Sequence, residues 1–485
     1  MLNWLNEWGT VTVITLCVIN FMIALGIIFI ERKNPSATLA WIFVLFLLPG
    51  FGVICYIFLS QNISRQRLFK MSRNEEYFAR KALREQVEEM KSGQYPYSDA
   101  AYTWRDMVRL NQTYGGAYYT QDNKMKVFTD GNRFMESLQK DIENAKDSIN
   151  VEFYIIKNDE VGRSLLRLLE AKAREGIAVR LLIDAVGGRE IWESTLSDFK
   201  EAGGEYAFFF RPRLRVINLK LNYRNHRKLV TIDGSIGYIG GFNIGREYLG
   251  RKRKFGHWRD THLRFKGGCV RDIDSRFLLD WRTASGENIP LAAAWYEPAE
   301  ADGNMGVQIV SSGPDSEREE IKRCYMKMIT TARRNVYIQT PYFVPDQSIL
   351  ESLKMAAQSG VDVRLMIPCM PDHMFVYWAT YSYAAEIVHS GGRVFVYDNG
   401  FLHSKLMIVD GEVLSCGSAN FDRRSFSLNF EANAIVYDQD AALEMESIFE
   451  QDLADCHELT KRLYESRSLW IKFKESISRL LSDLL

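Results

Sequence analysis

Two histidine–lysine pairs with identical spacing stand out in this 485-residue chain. The first lies in Asn225-His226-Arg227-Lys228-Leu229-Val230-Thr231-Ile232-Asp233-Gly234, the second in Leu402-His403-Ser404-Lys405-Leu406-Met407-Ile408-Val409-Asp410-Gly411. In each, His and Lys are two apart and an Asp follows five after the Lys. Each then runs into a small pair and an Asn: Gly240-Gly241-Phe242-Asn243 and Gly417-Ser418-Ala419-Asn420. One such match is weak; two with the same tail point to a duplicated site.

Both motifs carry β-forming residues and end at Asp-Gly, a turn signal. Residues i and i+2 share one face of a strand, so His226 projects with Lys228 and His403 with Lys405. Asp233 and Asp410 lie an odd number of residues from their histidines, which suits holding the frame rather than moving a proton. Two imidazoles and two ammonium groups fit phosphodiester chemistry. A neutral imidazole attacks phosphorus, and a second, protonated one supplies the leaving oxygen with its proton. Imidazole titrates near neutrality, which lets the pair hold opposite states. The lysines, with Asn243 and Asn420, would stabilise charge on the non-bridging oxygens. This chemistry requires no metal or other cofactor, and no HExxH or paired-carboxylate motif is present to bind one. His257, His262, His373, His389 and His457 read as structural histidines.

The elements that would position these groups are themselves repeated. Ser148–Ile156 alternates like a strand, Val161–Glu175 carries a helical apolar stripe, Gly176 stops it, and Val179–Asp184 is a short buried strand. That is a βαβ unit. Ala332–Phe343 and Gly360–Ile367 repeat its two strands, with nearly the separation that divides the histidines. The expected fold is α/β: two pseudo-twofold-related lobes, each a mixed sheet flanked by helices, with one site between them.

Lys+Arg and Asp+Glu are both 61, so overall charge selects no partner. Basic residues do crowd the approach to the first motif, from Arg211 through Arg213, Arg215, Lys220, Arg224 and Arg227 to Lys228, and Arg251–Lys254 form a second run. Such a cluster suits either a solvated face or anionic headgroups. Seven scattered cysteines, without CxxC spacing, fit a reducing compartment. Val11–Ile30 and Leu39–Leu59 are each long enough to cross a bilayer, with Pro49, Gly50 and Gly52 set to kink the second or make it re-entrant. Arg32 and Lys33 between them, and Arg65, Arg67, Lys70 and Arg73 after them, favour a cytoplasmic catalytic part. The expected division is a transmembrane pair over 1–60 and a juxtamembrane helix and linker over 61–115. A first lobe over 116–295 and a second over 296–485 follow. The C-terminal stretch from Ser468 places Trp470, Phe473, Ile477, Leu480, Leu481 and Leu484 on one helical face. It suits a helix capping the second lobe or one lying on a membrane surface.

The pattern H-x-K-x4-D-x6-G-G/S-x-N, present twice, resembles the phospholipase D superfamily. Flanking stretches make the chain similar to bacterial cardiolipin synthases over nearly its whole length. These are the apolar N-terminal pair with Pro35, Trp41, Pro49 and Gly52, then Gly241–Gly250, Trp258–His262, Tyr342–Asp346 and Gly417–Glu431. Arg246 departs from the pattern, standing where relatives often carry an acid. The resemblance implies a membrane-bound phosphatidyltransferase acting on phosphatidylglycerol and other anionic phospholipids in the bacterial cell membrane. A phosphohistidine would form on His226, with His403 as acid/base, although the symmetry of the two motifs does not order them. Glu431 and Asp260 would orient the histidines. A lipid-hydrolysing phospholipase D, a phosphatidylserine synthase and a membrane-tethered nuclease share that core. Two apolar runs favour lipid over nucleic acid.

Overall fold

The computed structural model describes residues 2–26, 35–48, 50–59, 68–93, 97–211, 222–291, 303–480 and 482. The chain divides into two compact units, one of Met1–Ile63 with Arg211–Tyr223 and one of Ser64–Phe210 with Arg224–Leu485.

In the first unit, α1 (Leu2–Gly26) packs against α2 (Pro35–Leu47), and Asn20 Nδ2 donates to the Leu45 carbonyl at 2.9 Å. The second apolar run is not one crossing helix. It breaks after Leu48, and Gly50 takes a left-handed φ of 82° before α3 (Phe51–Leu59) starts. At about 1.5 Å per residue, neither half approaches the roughly 30 Å of a bilayer core. Gly52 is required there, because a Cβ would meet the Val44 carbonyl oxygen at 2.8 Å. Among the described residues no helix is long and apolar enough to cross a membrane. The expected pair of crossing helices is thus not what this unit displays. Pro49, Arg32, Lys33, Arg65, Arg67, Arg213, Arg215 and Lys220 lie outside the described residues, so the charge asymmetry expected around the runs does too.

The second unit is built on a continuous mixed sheet. Its first half holds β1 (Tyr119–Phe128), β2 (Ser148–Phe153), β3 (Ala178–Asp184), β4 (Glu205–Phe209), β5 (Arg224–Asn225), β6 (Leu229–Ile232), β7 (Ile236–Gly240), β8 (Trp258–Arg259) and β9 (His262–Lys266). Its second half holds β10 (Met305–Ser312), β11 (Asn335–Gln339), β12 (Phe343–Val344), β13 (Asp362–Pro368), β14 (Arg393–Tyr397) and β15 (Phe401–Leu402). It closes with β16 (Leu406–Val409), β17 (Val413–Gly417), β18 (Phe421–Asp422), β19 (Asn429–Tyr437) and β20 (Cys456–Glu458); β8 pairs with β15 and β12 with β18 apart from the large sheet.

The sheet order is β20-β14-β13-β11-β16-β17-β19-β10-β1-β9-β7-β6-β2-β3-β4. Reading outward from the antiparallel β1–β10 junction, the halves match. β2, β3 and β4 are parallel, as are β11, β13 and β14, and the motif strands β6 and β16 run antiparallel beside β2 and β11. This is the duplicated α/β architecture that the repeated βαβ signals imply. Every residue of β6 and β16 is buried, as their apolar runs demand of strands covered on both faces. Helices Gly131–Glu143 and Glu160–Arg174 share one core with Val151, Leu181 and Val230. Helix Cys269–Ser285 packs with Leu229, Ile239 and Leu263 on the other face.

The polar stretch before the sheet folds onto it. Helix Arg73–Ser92 starts in a Ser72/Glu75 capping box and ends at Gly93 in the left-handed region. From it, Gln86 donates to the Tyr119 carbonyl at 2.7 Å and Glu75 pairs with Arg282 at 2.6 Å. Helix Arg105–Gly115 buries Met107 and Val108 and hydrogen-bonds Gln308 and Tyr437 through Asn111.

Candidate active site

Each histidine is delivered by a short strand that leaves its own lobe. β5 pairs in parallel with the start of β19, Asn429 opposite Arg224 and Phe430 opposite Asn225, and the His226 N–H then donates to the Phe430 carbonyl at 2.9 Å. β15 pairs in parallel with β8, and the His403 N–H donates to the Arg259 carbonyl at 2.7 Å. The residue after Phe430 is Glu431; the residue after Arg259 is Asp260. This register crosses the acids between lobes. His226 Nδ1 lies 3.0 Å from Glu431, and His403 Nδ1 lies 2.6 Å from Asp260. Both carboxylates are fully buried.

The small pair after each motif frames the acid of the same lobe. Gly241 has no room for a side chain, since a Cβ would sit 2.0 Å from Asp260 Oδ1. In the equivalent place Ser418 donates its hydroxyl to Glu431 at 2.5 Å. Asp260 also accepts the Thr261 N–H at 2.7 Å, and Thr261 Oγ1 meets Ser404 Oγ at 2.8 Å across the lobes.

The lysines lie where the alternation places them. Lys228 Nζ donates to the His226 carbonyl and Lys405 Nζ to the His403 carbonyl, with Lys405 Nζ also 2.9 Å from His403 Nδ1. Burial holds His226 down to about 4, helped by Lys228 and opposed by Glu431. Burial holds Lys228 down to about 7, helped by Lys405 and opposed by Glu431 and Asp260. His403 and Lys405 are lowered in the same way, burial first; Lys405 then lowers His403 further. Burial alone would raise the two acids, but Lys405 and His403 hold Asp260 below its ordinary value, and His226 and Lys228 do so for Glu431. The resting site therefore pairs neutral imidazoles with ionised carboxylates. A carboxylate at Nδ1 accepts a hydrogen bond from Nδ1–H and so leaves the lone pair on Nε2, the tautomer of a nucleophile or a base.

The sequence assigned Asp233 and Asp410 to the frame. Both adopt left-handed φ, 51° and 56°, at the hairpin turns after β6 and β16. Asp233 accepts the N–H groups of Lys146, Asp147 and Ser148; Asp410 accepts those of Arg333, Arg334 and Asn335. They pin each motif hairpin to the start of β2 or β11, at the far end of the strand from the histidine. Asn243 spends its Oδ1 on the Ile155 N–H at 3.1 Å, whereas Asn420 is buried with its Oδ1 unpartnered among the described residues. Arg227, part of the basic approach, faces inward and makes a two-pronged pair with Asp280 at 2.8 Å.

The family model described as "Cardiolipin synthase, PLD-like domain" matches residues 138–255 and 325–453, covering both motifs' lobes, and one described as "Phospholipase_D-nuclease N-terminal" matches 18–61. A cardiolipin synthase of Listeria monocytogenes is 46% identical over 474 residues, 97% of this chain and 98% of that protein. The chain belongs to the phospholipase D-like cardiolipin synthase family. A Staphylococcus aureus cardiolipin synthase is likewise 46% identical, over 96% of this chain and 95% of its own length. The solved phosphatidylserine synthase of Haemophilus influenzae shares the fold, with a TM-score of 0.58 at 15% identity over 78% of this chain and 97% of its own.

In this cardiolipin synthase family member, the structure adds residues that the motifs do not contain. The Tyr154 ring lies 4.9 Å from His226 and the Trp258 ring 5.1 Å from His403. Tyr342 donates to Asp372, whose charge acts on both His403 and Lys405. Tyr154 and Tyr342 both lie just after the first strand of the repeated unit, one position out of register with each other. Asp372 has no counterpart to flag it. Among the remaining histidines, His262 is a fully buried ring 4.3 Å from Phe134, a packing role.

Proposed function

We propose that the chain is a cardiolipin synthase that moves a phosphatidyl group from one phosphatidylglycerol to another. The crossed histidine–carboxylate pairs, with both lysines buried beside them, carry this reading. In the first step His226 Nε2 attacks phosphorus, the bond to the glycerol oxygen breaks, and His403 gives that oxygen a proton. In the second, His403 takes the proton from the free hydroxyl of another phosphatidylglycerol; its oxygen attacks phosphorus and the N–P bond breaks. Cardiolipin and glycerol result. Lys228 and Lys405 balance the charge on the non-bridging oxygens, and Asn420 offers its amide there. No step calls on a metal. The order of the histidines follows the family resemblance.

A lipid substrate also suits the first unit, whose Val11, Ile14, Val18, Phe21, Met22, Leu39, Phe43 and Phe46 are exposed. That much bare apolar surface is stable in acyl chains and not in water. We place this unit in the bacterial cell membrane, with the second apolar run as a re-entrant segment, and the catalytic unit on the cytoplasmic face.

Purified full-length protein in phosphatidylglycerol vesicles should yield cardiolipin and glycerol, with or without EDTA, and His226→Ala and His403→Ala should each abolish turnover. Phosphatidic acid without cardiolipin would replace the synthase by a hydrolase. Activity in either alanine variant would refute the shared site.

A further inference from the structure

The C-terminal helix, Leu469–Leu480, is mounted inside out. Its polar residues Glu475 and Ser478 are buried, while Leu469 (84% exposed), Trp470 (62%), Phe473 (54%) and Leu480 (76%) face away from the protein. Specific polar contacts hold it in that pose. Arg467 reaches Glu475 at 2.6 Å, Tyr464 donates to Glu475 at 3.0 Å, Arg479 pairs with Glu386 at 2.8 Å, and Tyr383 meets Ser482 at 3.0 Å. An amphipathic helix ordinarily turns its apolar stripe to the core. Here the buried Glu475 pairs orient the stripe outward, so the helix covers the second lobe with its polar side and presents its apolar side as a surface. The expected Leu481 and Leu484 lie outside the described residues.

We propose that this helix lays its apolar face into an anionic lipid bilayer and seats the catalytic unit on it. Charge selects that occupant. From Lys461 to Leu480 there are six basic residues and two acidic ones; with Arg467 paired to Glu475 and Arg479 to Glu386, Lys461, Arg462, Lys472 and Lys474 remain against Glu465. Two copies meeting through this face would bring like-charged flanks together, whereas anionic headgroups neutralise them. Trp470 stacks on Phe473 with centroids 5.5 Å apart, and Lys474 Nζ lies 5.4 Å above the Trp470 ring and 5.1 Å above that of Trp378. Aromatic rings with basic groups at their edge are the arrangement of an interfacial helix, in which the amine reaches headgroups while the rings sit at the acyl boundary.

The surface is also tied to the site. The C-terminal helix packs on helix Met374–His389, whose first residues Met374 and Phe375 are exposed. Directly before them stand His373 and Asp372, and Asp372 binds Tyr342 and acts on His403 and Lys405. A bilayer touching this helix pair would lie next to the approach to His403. The use of such a seat to the reaction rests on the phospholipid reading of the site.

The test uses the full chain with Phe473→Cys carrying an environment-sensitive fluorophore, reconstituted in vesicles that contain lipids spin-labelled on the acyl chain. Leu443→Cys, also exposed, serves as control, and the unsubstituted chain gives the cysteine background. In phosphatidylglycerol/phosphatidylcholine vesicles the label at 473 should shift to the blue and lose most of its emission to the quencher, while that at 443 should not. Lys472→Gln and Lys474→Gln should each lower the docked-to-undocked ratio about fivefold. Water-like emission at 473 in anionic vesicles would overturn the proposal. So would a shielded label that cross-links to a second copy and ignores the quencher. Neither readout needs turnover. A chain that docks without making cardiolipin fails the synthase reading alone, and one that makes cardiolipin with position 473 in water fails this one alone.

Discussion

Glu431→Gln separates the two histidines chemically. The amide keeps the side chain's shape and an acceptor oxygen for His226 Nδ1, 3.0 Å away, but loses the charge in a fully buried place. The free imidazole is neutral already, so the variant does not change its resting protonation. What it loses is stabilisation of the next state. A histidine phosphorylated on Nε2 with Nδ1–H retained is a cation, and its counter-charge in this fold is Glu431. Removing one partner of a buried ion pair costs about 3–5 kcal/mol. Spent on the transition state, that is about 10²–10⁴-fold in rate. The assay uses a phosphatidyl ester of p-nitrophenol, whose leaving group departs without a proton. His226→Ala and Glu431→Gln should then lose the p-nitrophenol burst, while His403→Ala and Asp260→Asn keep it and lose only transfer to the acceptor lipid. If His403→Ala and Asp260→Asn lost the burst while His226→Ala and Glu431→Gln kept it, the histidine order would be reversed. If Glu431→Gln matched the His403 variant while Asp260→Asn matched the His226 variant, the crossed wiring itself would be refuted.

Gly241→Ala should act on the same circuit from another side. Its Cβ would displace Asp260, so acceptor transfer should fall as in Asp260→Asn, with the burst preserved. Asp410→Ala removes the acceptor of three backbone N–H groups at a left-handed position, and should cost about 2–4 kcal/mol of stability. A lowered thermal midpoint with near-normal turnover in the cold would be the result; a large loss of turnover at full folding would make Asp410 more than a frame residue. His226 takes a proton near pH 6.5 when unfolded and near 4 when folded. The unfolded chain thus binds the proton first, and stability should fall as pH drops from about 6.5 towards 4, by up to about 3 kcal/mol from this group. His226→Gln should flatten the dependence of the thermal midpoint across that window.

The repeat made much of this fold legible. The strands read at Lys228–Ile232 and Lys405–Val409 form over Leu229–Ile232 and Leu406–Val409, because these short runs are rich in β-formers, and the Asp-Gly pairs do form the left-handed turns. Asp233 and Asp410 sit at the turn ends of β6 and β16, away from the histidines, where the two-residue period of a strand puts them. Sequence could pair Glu431 and Asp260 with histidines, but not show which acid serves which. That depends on β5 and β15, two-residue strands too short to leave a pattern, pairing with the opposite lobe. Arg227 looked like one more member of a basic surface; its partner Asp280 lies far along the chain, and only tertiary packing reveals the inward pair. The second apolar run contained its own break in Pro49, Gly50 and Gly52, yet hydropathy alone averages over such a break.

The crossing has a consequence for how the duplicated unit works. Within a lobe, the small residue after the motif positions the acid: Gly241 makes room for Asp260, and Ser418 holds Glu431. Between lobes, that acid fixes the tautomer of the other lobe's histidine. Neither half therefore holds both members of a histidine–carboxylate pair, and each completes the other through a single residue that follows a two-residue strand. The shared β1–β10 pairing and the Thr261–Ser404 contact then matter to chemistry as well as packing, because a small slide of one lobe would lengthen both histidine–carboxylate contacts at once. Division of labour can still arise in a site wired so symmetrically. Lys405 Nζ lies 2.9 Å from His403 Nδ1, and the Asp372 charge also acts on His403. A bound phosphodiester, drawing the ammonium groups towards its oxygens, would relieve that positive charge and raise His403 more than His226. The histidine so raised is the one able to carry a proton to the departing glycerol, and the one left neutral is the one able to attack.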